Sequence, residues 1–295
     1  GFIGYNFANH LLSKNKKIKI IGIDNLNNYY SVKYKNLRLK KLKENKNFIF
    51  HKIDISKYKE IKKIFNKYKI DVIYNLAAQA GVRYSLKNPK LYNDYNINGF
   101  FNILELSREK EIKRIFYASS SSIYGDSKKF PLTENLSLNP KNIYALSKKI
   151  NEELAQLYSG LYGIQLTGLR FFTVYGEWGR PDMFIMKYIV ASLQKKIFYL
   201  NNFGNHYRDF TYIKDINKIL YLLLKAKQKK KHEVLNICSS SPVKITSVIS
   251  YLNSLMTKPK LKKIPLQTAD VIKTHGSNTK LKKIISFKKF TNINS

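Results

Sequence analysis

Short apolar runs alternate with amphipathic stretches over the first 173 residues, and this alternation constrains the fold more than any other feature. The runs are IKIIGID (18–24), FIFHKIDI (48–55), DVIYNLAA (71–78), IKRIFYASS (112–120) and IQLTGLRFF (164–172). Strands buried on both faces are apolar throughout, and parallel strands need long, usually helical, connections. The pattern therefore predicts an α/β fold with a doubly wound parallel sheet.

After residue 176 the alternation of apolar runs and long amphipathic stretches ends. Shorter mixed segments such as HYRDFTYIKDI and NICSSSPVKI follow. We predict a nucleotide-binding domain at 1–173, to which a segment at about 209–238 returns, and a smaller α/β substrate-binding lobe at 174–295. The chain stops at KKFTNINS, before the closing helix that we would expect. The lobe is therefore predicted to be trimmed at its C-terminus.

Two glycines, Gly1 and Gly4, precede the first amphipathic stretch, and Asp24 ends the strand that follows it. A Rossmann fingerprint has glycines where a helix N-terminus meets a pyrophosphate, and an acidic residue about 20 positions later for the adenosine ribose. The spacing fits, so we predict a Rossmann-type fold that binds a dinucleotide. A carboxylate at Asp24 repels a 2′-phosphate, which favours NAD over NADP. The strand that should precede Gly1 is expected to be missing from this sequence.

Polar or small residues follow the predicted strands at the positions where ligands bind in open α/β sheets, beyond the carboxyl ends of the strands. They are Asp24, Ala77 to Gln79, Ser119 to Ser122, and Thr173. We therefore expect one site at this edge of the sheet.

A tyrosine four positions before a lysine can form a phenolate base, but this spacing occurs five times: Tyr29/Lys33, Tyr58/Lys62, Tyr124/Lys128, Tyr144/Lys148 and Tyr221/Lys225. Tyr29 and Tyr58 lie in lysine-rich segments that we interpret as surface. Tyr221 lies in an apolar helix, and Gly125 interrupts the helix that Tyr124 would need. Only Tyr144 opens a predicted helix, which puts Lys148 one turn along on the same face.

The serine run SSSS, at the end of a strand, would supply a hydroxyl donor that completes a set of proton-transferring groups with Tyr144 and Lys148. A tyrosine is normally protonated at neutral pH, with a pKa of about 10. A nearby cation favours the phenolate, so Tyr144 is predicted to act as a general base.

Eight segments together resemble one family. They are GFIG, GIDNLNNYY, NLAAQAGVRYSL, YASSSSIYG, YALSKK, GLRFFTVYGEWGRPDM, RDFTYIKDI and NICSSSPV, which run from residue 1 to about 243. The chain thus resembles the extended short-chain dehydrogenase/reductase family, in its NAD-dependent epimerase/dehydratase branch, and most closely the UDP-glucuronate 4-epimerases.

The resemblance implies roles for individual residues. The residues implied to line NAD are Gly1, Gly4, Asp24, Asn25, Asn28, Asp54, Ile55, Ala77, Ala78, Tyr144 and Lys148. The implied catalytic hydroxyl is Ser120. Thr173 and Arg180 would face the sugar and its carboxylate, and Arg208 would pair with the UDP pyrophosphate. Arg83 is expected either near this pocket or in a structural salt bridge.

The implied reaction is 4-epimerisation of a UDP-sugar, in which Tyr144 removes the 4-hydroxyl proton while hydride moves to NAD and later returns to the other face of a 4-keto sugar. In related 4,6-dehydratases and UDP-glucuronate decarboxylases, carboxylates follow the catalytic hydroxyl. Ser121 and Ser122 stand there in this chain, so both reactions are disfavoured. These serines, with Arg180, favour UDP-glucuronate, while a UDP-glucose or UDP-N-acetylhexosamine 4-epimerase is the alternative.

The formal net charge of +35 raises a rival hypothesis, a basic RNA-binding protein that has kept the fold. Lys, Asn, Ile, Tyr and Phe are all abundant, so we interpret the charge as compositional bias and predict no nucleic-acid or membrane partner. A third possibility is an inactive fragment. The single cysteine, Cys238, excludes an internal disulfide and a cysteine metal cluster. We therefore predict no metal, a cytoplasmic location, and a homodimer of the kind that the resemblance implies.

Overall fold

The computed structural model of the chain describes residues 1–227, 230–268 and 270–294. Its helices are α1 (Phe2–Lys14), α2 (Val32–Lys43), α3 (Tyr58–Lys67), α4 (Val82–Lys87), α5 (Pro89–Tyr92), α6 (Gly99–Glu109), α7 (Ile143–Tyr162), α8 (Phe184–Leu193), α9 (Ile213–Lys225), α10 (Ile245–Leu255) and α11 (Thr279–Ile284). A π-helical turn covers Asn93–Asn98, and 3-10 turns cover Ser121–Tyr124 and Asn202–Gly204.

The strands are β1 (Ile20–Asp24), β2 (Phe48–Lys52), β3 (Ile73–Asn75), β4 (Arg114–Ser120), β5 (Gln165–Phe171), β6 (Thr173–Tyr175), β7 (Phe198–Asn201), β8 (Tyr207–Tyr212), β9 (His232–Ile237), β10 (Pro242–Lys244) and β11 (Leu261–Ile264). Each of the five apolar runs contains one of the first five strands. This agreement follows from burial, because β4 and β5 are covered on both faces and have no polar face to alternate.

Parallel pairing organises the first half of the chain. β3, β4, β5 and β9 form a four-stranded parallel sheet in the order β3-β4-β5-β9, and β1 pairs in parallel with β2. Ile23 in β1 and Ile73 in β3 pack against the same apolar cluster, so both sheets contribute to one core. The carboxyl ends of these strands carry the polar residues singled out above.

Helices cover both faces of the four-stranded sheet. On one face α1 and α9 pack against it through a cluster that includes Phe7, Leu169, Leu220 and Leu235. On the other face α6 and α7 contribute to a cluster that includes Leu104 and Ala155. The predicted class, an α/β fold with a doubly wound parallel sheet, is confirmed.

Smaller sheets make up the remaining part. β8 pairs in parallel with β6 and antiparallel with β10, while β7 pairs in parallel with β11. Of the segment predicted to return at about 209–238, β9 joins the parallel sheet, whereas β8 lies in the small mixed sheet. The predicted division at residue 173 stays a prediction. Among the described residues, no helix has the length and apolar character needed to cross a bilayer.

Candidate active site

A cleft with a volume of about 980 Å³ lies at the carboxyl ends of the parallel strands. Nearly all of the predicted site residues line it: Gly1, Gly4, Asp24, Asn25, Asp54, Ile55, Ala77, Ala78, Arg83, Ser120, Ser121, Ser122, Tyr144, Lys148, Thr173, Arg180 and Arg208. Asn28 is different, because it is exposed and does not line the cleft. Its neighbour Asn27 lines the cleft instead.

The start of α1 forms one end of the cleft. A Cβ atom built on Gly1 would meet no atom within 4 Å, and one on Gly4 would meet only Leu76 Cδ1 at 4.0 Å. No side chain caps this helix, so its first amide groups are available to an anionic ligand. The glycines thus leave the backbone bare towards the cleft, as a pyrophosphate would require.

Asp24 lies at the same end, at the last position of β1. Its Oδ1 accepts from the Leu26 amide and its Oδ2 from the Gly1 amino group, both at 2.8 Å. Burial raises the pKa of Asp24, while the hydrogen bond from the Leu26 amide and the charge of Lys35 lower it. Asp24 therefore offers one oxygen already held by the backbone at the end of the cleft.

Asp54 and Asn25 form the adjoining wall. Asn25 Nδ2 donates to Asp54 Oδ2 at 3.0 Å, and Asp54 Oδ1 accepts from the Ser56 amide at 2.9 Å. These bonds fix the loops after β1 and β2 against each other. The sequence indicated each loop separately but not their contact.

The serine run turns sharply at the end of β4. The Ser120 hydroxyl lies 2.8 Å from the Ser122 hydroxyl and accepts from the Ser122 amide at 3.2 Å, which caps the 3-10 turn. Gly125 ends the turn with a φ of 62°. Ser120 is 8% exposed, so most of its surface is covered by protein although it lines the cleft.

Tyr144 and Lys148 enter the cleft from the first turns of α7. Asn142 caps this helix by accepting from the Ala145 amide at 2.9 Å. Lys148 is 2% exposed, and its Nζ donates to the Ala118 carbonyl at 2.8 Å. Burial lowers the pKa of Lys148 to about 8. The lysine is thus held firmly beside the strand that carries Ser120.

The Ser120 and Tyr144 side chains both line the cleft, and Ser120 acts on the pKa of Tyr144. Burial raises the pKa of Tyr144, while Ser120 and the positive charge of Arg180 lower it. The sequence suggested Lys148 as the cation that stabilises the phenolate. The structure adds a second cation, Arg180, from a loop 36 positions away in the chain, whose charge lowers the pKa of Tyr144.

Arg180 is paired with Asp182 inside the cleft. Its Nε donates to Asp182 Oδ1 at 2.9 Å, its Nη2 donates to the other carboxylate oxygen, and Tyr29 donates to Asp182 Oδ2 at 3.1 Å. A substrate carboxylate would therefore share a guanidinium that is already paired. Tyr29, which we interpreted as a surface residue, lines the cleft.

The two remaining predicted arginines are also engaged. Arg208 donates to the carbonyls of Tyr207, Val271 and Ile272 at 2.7–2.9 Å, and burial lowers its pKa to about 10. Arg83 Nε donates to Asp270 Oδ1 at 3.1 Å. Arg83 thus both lines the cleft and forms a salt bridge, so the structure combines the two roles that the sequence left open.

Several cleft residues were missed by sequence reasoning. The main ones are Asn27, Lys141 and Asp182. Gln79 and Asn27 bond each other at 3.2 Å across 52 positions of sequence, and no local pattern signals such a contact. Within the described part of the chain, no cluster of three or more His, Cys, Asp or Glu residues could hold a metal ion.

Comparisons with known proteins agree with this geometry. The model of the NAD dependent epimerase/dehydratase family matches residues 1–238. The UDP-glucuronate 4-epimerase of Thermodesulfobacterium geofontis is 39% identical over 290 residues, which cover 97% of this chain and 88% of that protein. Protein CapI of Staphylococcus aureus is 41% identical over 312 residues, covering 99% of this chain and 92% of that protein.

A solved structure is similar over the whole chain. The crystal structure of UDP-glucuronic acid 4-epimerase from Bacillus cereus, in complex with UDP-glucuronic acid and NAD, matches with a TM-score of 0.93 and 29% identity, over 100% of this chain and 93% of that chain.

Proposed function

The chain belongs to the NAD-dependent epimerase/dehydratase family, and from this premise we propose that it catalyses the NAD-dependent 4-epimerisation of UDP-glucuronate to UDP-galacturonate. The observation that carries the proposal is that Ser120, Tyr144 and buried Lys148 line the same cleft, which begins at α1. Sequence similarity to a UDP-glucuronate 4-epimerase supports the choice of substrate.

The residues present fit NAD. The bare glycine end of α1 suits the pyrophosphate, and the Asp24 carboxylate suits a ribose diol and opposes a 2′-phosphate. Asn25, Asp54, Ile55, Ala77 and Ala78 would line the rest of the dinucleotide. A cavity of about 980 Å³ is at the upper end for ligand pockets, which suits a cofactor and a nucleotide sugar side by side. When bound, NAD accepts hydride from sugar carbon 4 and gives it back.

Side chains of this protein would transfer the proton of the sugar 4-hydroxyl. Tyr144, once ionised, would take the proton of the sugar 4-hydroxyl and later return it. Ser120 would donate a hydrogen bond to the same oxygen as its bond to carbon gains double-bond character. Lys148 holds its ammonium beside Ala118, where its two remaining donors can orient a ribose.

Arg180, Ser121, Ser122 and Thr173 would hold the sugar carboxylate. Arg208 and Arg83 lie in the part of the cleft lined by the smaller sheets and would face the UDP pyrophosphate. A carboxylate held by neutral hydroxyls and one guanidinium stays ionised. No carboxylate side chain stands at Ser121 or Ser122 to promote elimination or decarboxylation.

The test is the product that the protein forms from UDP-glucuronate, compared with UDP-glucose and UDP-N-acetylglucosamine. We expect UDP-galacturonate and much slower turnover of the neutral sugars. Mostly UDP-xylose, or a preference for UDP-glucose, would contradict the proposed substrate. Tyr144→Phe should abolish turnover and leave NAD bound, whereas Tyr162→Phe, at the exposed end of the same helix, should be fully active.

Arg180→Met is the specificity variant. It should lose turnover of UDP-glucuronate more than any turnover of UDP-glucose, because only the acid needs the guanidinium. Equal losses on both substrates would speak against Arg180 as the carboxylate partner. RNA binding that is tight, sensitive to salt and unchanged in Tyr144→Phe would instead support the RNA-binding hypothesis.

We further infer a homodimer that forms through α6 and α7. Their outer faces expose Leu146, Leu157, Leu161 and Phe101, with exposed fractions of 40–64%. Leu157→Glu with Leu161→Glu should halve the mass measured by light scattering, and an unchanged mass would exclude this interface. A cytoplasmic location is supported by the single buried cysteine.

A further inference from the structure

A buried ion pair lies directly behind the strand end that carries Ser120. Arg170 in β5 donates from Nε to Glu152 Oε1 at 2.9 Å and from Nη2 to Glu152 Oε2 at 2.7 Å. The two side chains are only 3% and 7% exposed, and neither lines the cleft. Desolvation often cancels the Coulomb gain of such a pair, so its presence calls for an explanation other than stability alone.

The remaining bonds of the pair go to both ends of the serine turn. Ser119 Oγ donates to Glu152 Oε1 at 2.6 Å, and Arg170 Nη1 donates to the Tyr124 hydroxyl at 2.8 Å. Tyr124 in turn donates to Asn236 in β9 at 2.7 Å. The segment from residue 119 to residue 124, which includes the four cleft serines Ser119 to Ser122, is thus held at its first and last residues.

The same pair also ties α7 to β4. Tyr144, Lys148 and Glu152 are spaced four residues apart and share one face of α7. Lys148 bonds Ala118 and Glu152 bonds Ser119, so two consecutive residues of β4 hold two consecutive turns of the helix. These two links fix how far α7 can slide along β4.

We propose that Glu152 and Arg170 are positioning residues that hold the serine turn carrying Ser120 in place against the helix that carries Tyr144. This inference rests on the proposed function, because it assigns the pair to the same reaction. Neither residue touches the substrate. Their contribution is to the geometry of two groups that must share one oxygen atom of the sugar, where a small displacement costs much of the rate.

Groups from several elements lie around Tyr144. They are Lys148 on the same helix, Ser120 from β4, Arg180 from the loop after β6, and Tyr92 of α5, whose ring centroid lies 6.1 Å away. Of these, Ser120 and Arg180 lower the pKa of Tyr144. Only the Ser120 contact depends directly on the ion pair. Loss of that contact removes one influence that lowers the pKa of Tyr144, so ionisation should move to higher pH.

The test is Glu152→Gln. This variant keeps the size of the side chain but removes its charge and replaces one acceptor oxygen with an NH2 group, which cannot accept a hydrogen bond from Arg170. We expect kcat on UDP-glucuronate to fall about tenfold to hundredfold, with KM and NAD content unchanged. The rising limb of kcat against pH should move to higher pH. If Glu152→Gln has the kcat of the wild type, the proposal is overturned. It is also overturned if the variant loses activity only because less of the protein is active, with an unshifted pH profile.

If Glu152→Gln does not fold, two less disruptive variants test the proposal. Tyr124→Phe removes one hydroxyl from the network, and Tyr117→Phe removes an equally buried hydroxyl of β4 that instead bonds His232 at 3.0 Å. Tyr124→Phe should lower kcat about threefold with the same direction of pH shift, while Tyr117→Phe should leave the pH profile unchanged. Equal effects of the two variants would overturn the proposal.

Failure of the proposed function is separable from failure of this inference. If the wild type turns over none of the three UDP-sugars, the function is wrong. The positioning role can still be measured by ¹³C NMR of tyrosines labelled at Cζ in NAD-bound protein, with Tyr144 assigned through Tyr144→Phe. A higher Tyr144 pKa in Glu152→Gln supports the inference, and an unchanged pKa overturns it.

Discussion

Gly125 is a residue at which one added methyl group should be very damaging. It ends the 3-10 turn of the serine run with a φ of 62°, and a Cβ atom there would lie 2.0 Å from the Asn139 carbonyl oxygen. That oxygen belongs to the backbone, so it cannot rotate away as a side chain would. Asn139 lies just before α7, and Gly125→Ala must therefore push the segment that leads to Tyr144.

The expected destabilisation has two parts. A positive φ costs a non-glycine residue about 1–2 kcal/mol, and the ψ of −142° at Gly125 puts it in a region nearly confined to glycine, at the upper end of that cost. Forcing packed backbone apart costs roughly a further 1–3 kcal/mol. The chain offers a matched control in Gly163, which ends α7 with a φ of 67° but has no atom within 4 Å of its Cβ position. Gly163→Ala should lose only the first part.

The assay is the free energy of unfolding from denaturant titration, together with turnover of UDP-glucuronate. Gly125→Ala should lose about 2–5 kcal/mol and most of its turnover even at temperatures where it stays folded. Gly163→Ala should lose about 1–2 kcal/mol and keep wild-type turnover. Equal destabilisation of the two variants, or full activity of folded Gly125→Ala, would refute the close approach of Asn139 as the reason for glycine.

Three further predictions concern single side chains of the site and its supports. Burial lowers the pKa of Lys148 from 10.5 to about 8, so the unfolded chain binds the extra proton between these values and stability rises with pH there. Relative to Lys148→Met, the wild type should gain up to about 3 kcal/mol in unfolding free energy from pH 7 to pH 11. Absence of this gain would contradict the burial of the Lys148 ammonium. Burial also raises the pKa of Asp209 from 3.8 to about 6, so here the native state binds the extra proton. Relative to Asp209→Asn, the wild type should lose up to about 3 kcal/mol as the pH rises from 4 to 7, and a gain would show the sign to be wrong. Tyr29→Phe removes the hydrogen bond to Asp182 and should raise KM for UDP-glucuronate about threefold to tenfold, and an unchanged KM would exclude this support of Arg180.

The core of the site could be predicted because its residues sit at fixed places in a regular pattern. A run of apolar residues marks each buried strand, and the residue after its last buried position falls at the edge where ligands bind. Ser120 and Thr173 were found in this way, and Tyr144 was found because a helix start follows the serine strand.

The supports of the site were not predictable in this way. Asp182 and Tyr29 lie 153 positions apart, and Glu152 and Arg170 belong to different elements whose register is set only when the sheet forms. Asn28 shows the limit at short range, since the resemblance pointed to it while the loop after β1 turns its neighbour Asn27 into the cleft. Side-chain direction in an irregular loop depends on its contacts, not on its sequence position.

The sequence by itself determined the α/β class, the polar residues that follow each parallel strand, and the residues that can accept or donate a proton. These depend on burial and on helical or strand spacing, which are local properties of the chain. The tertiary structure alone decided that Arg180 acts on the pKa of Tyr144, which arginines are already paired, and how the serine turn is held against α7. Those features are distances between groups far apart in the chain, and electrostatic and hydrogen-bond energies depend on such distances rather than on residue type.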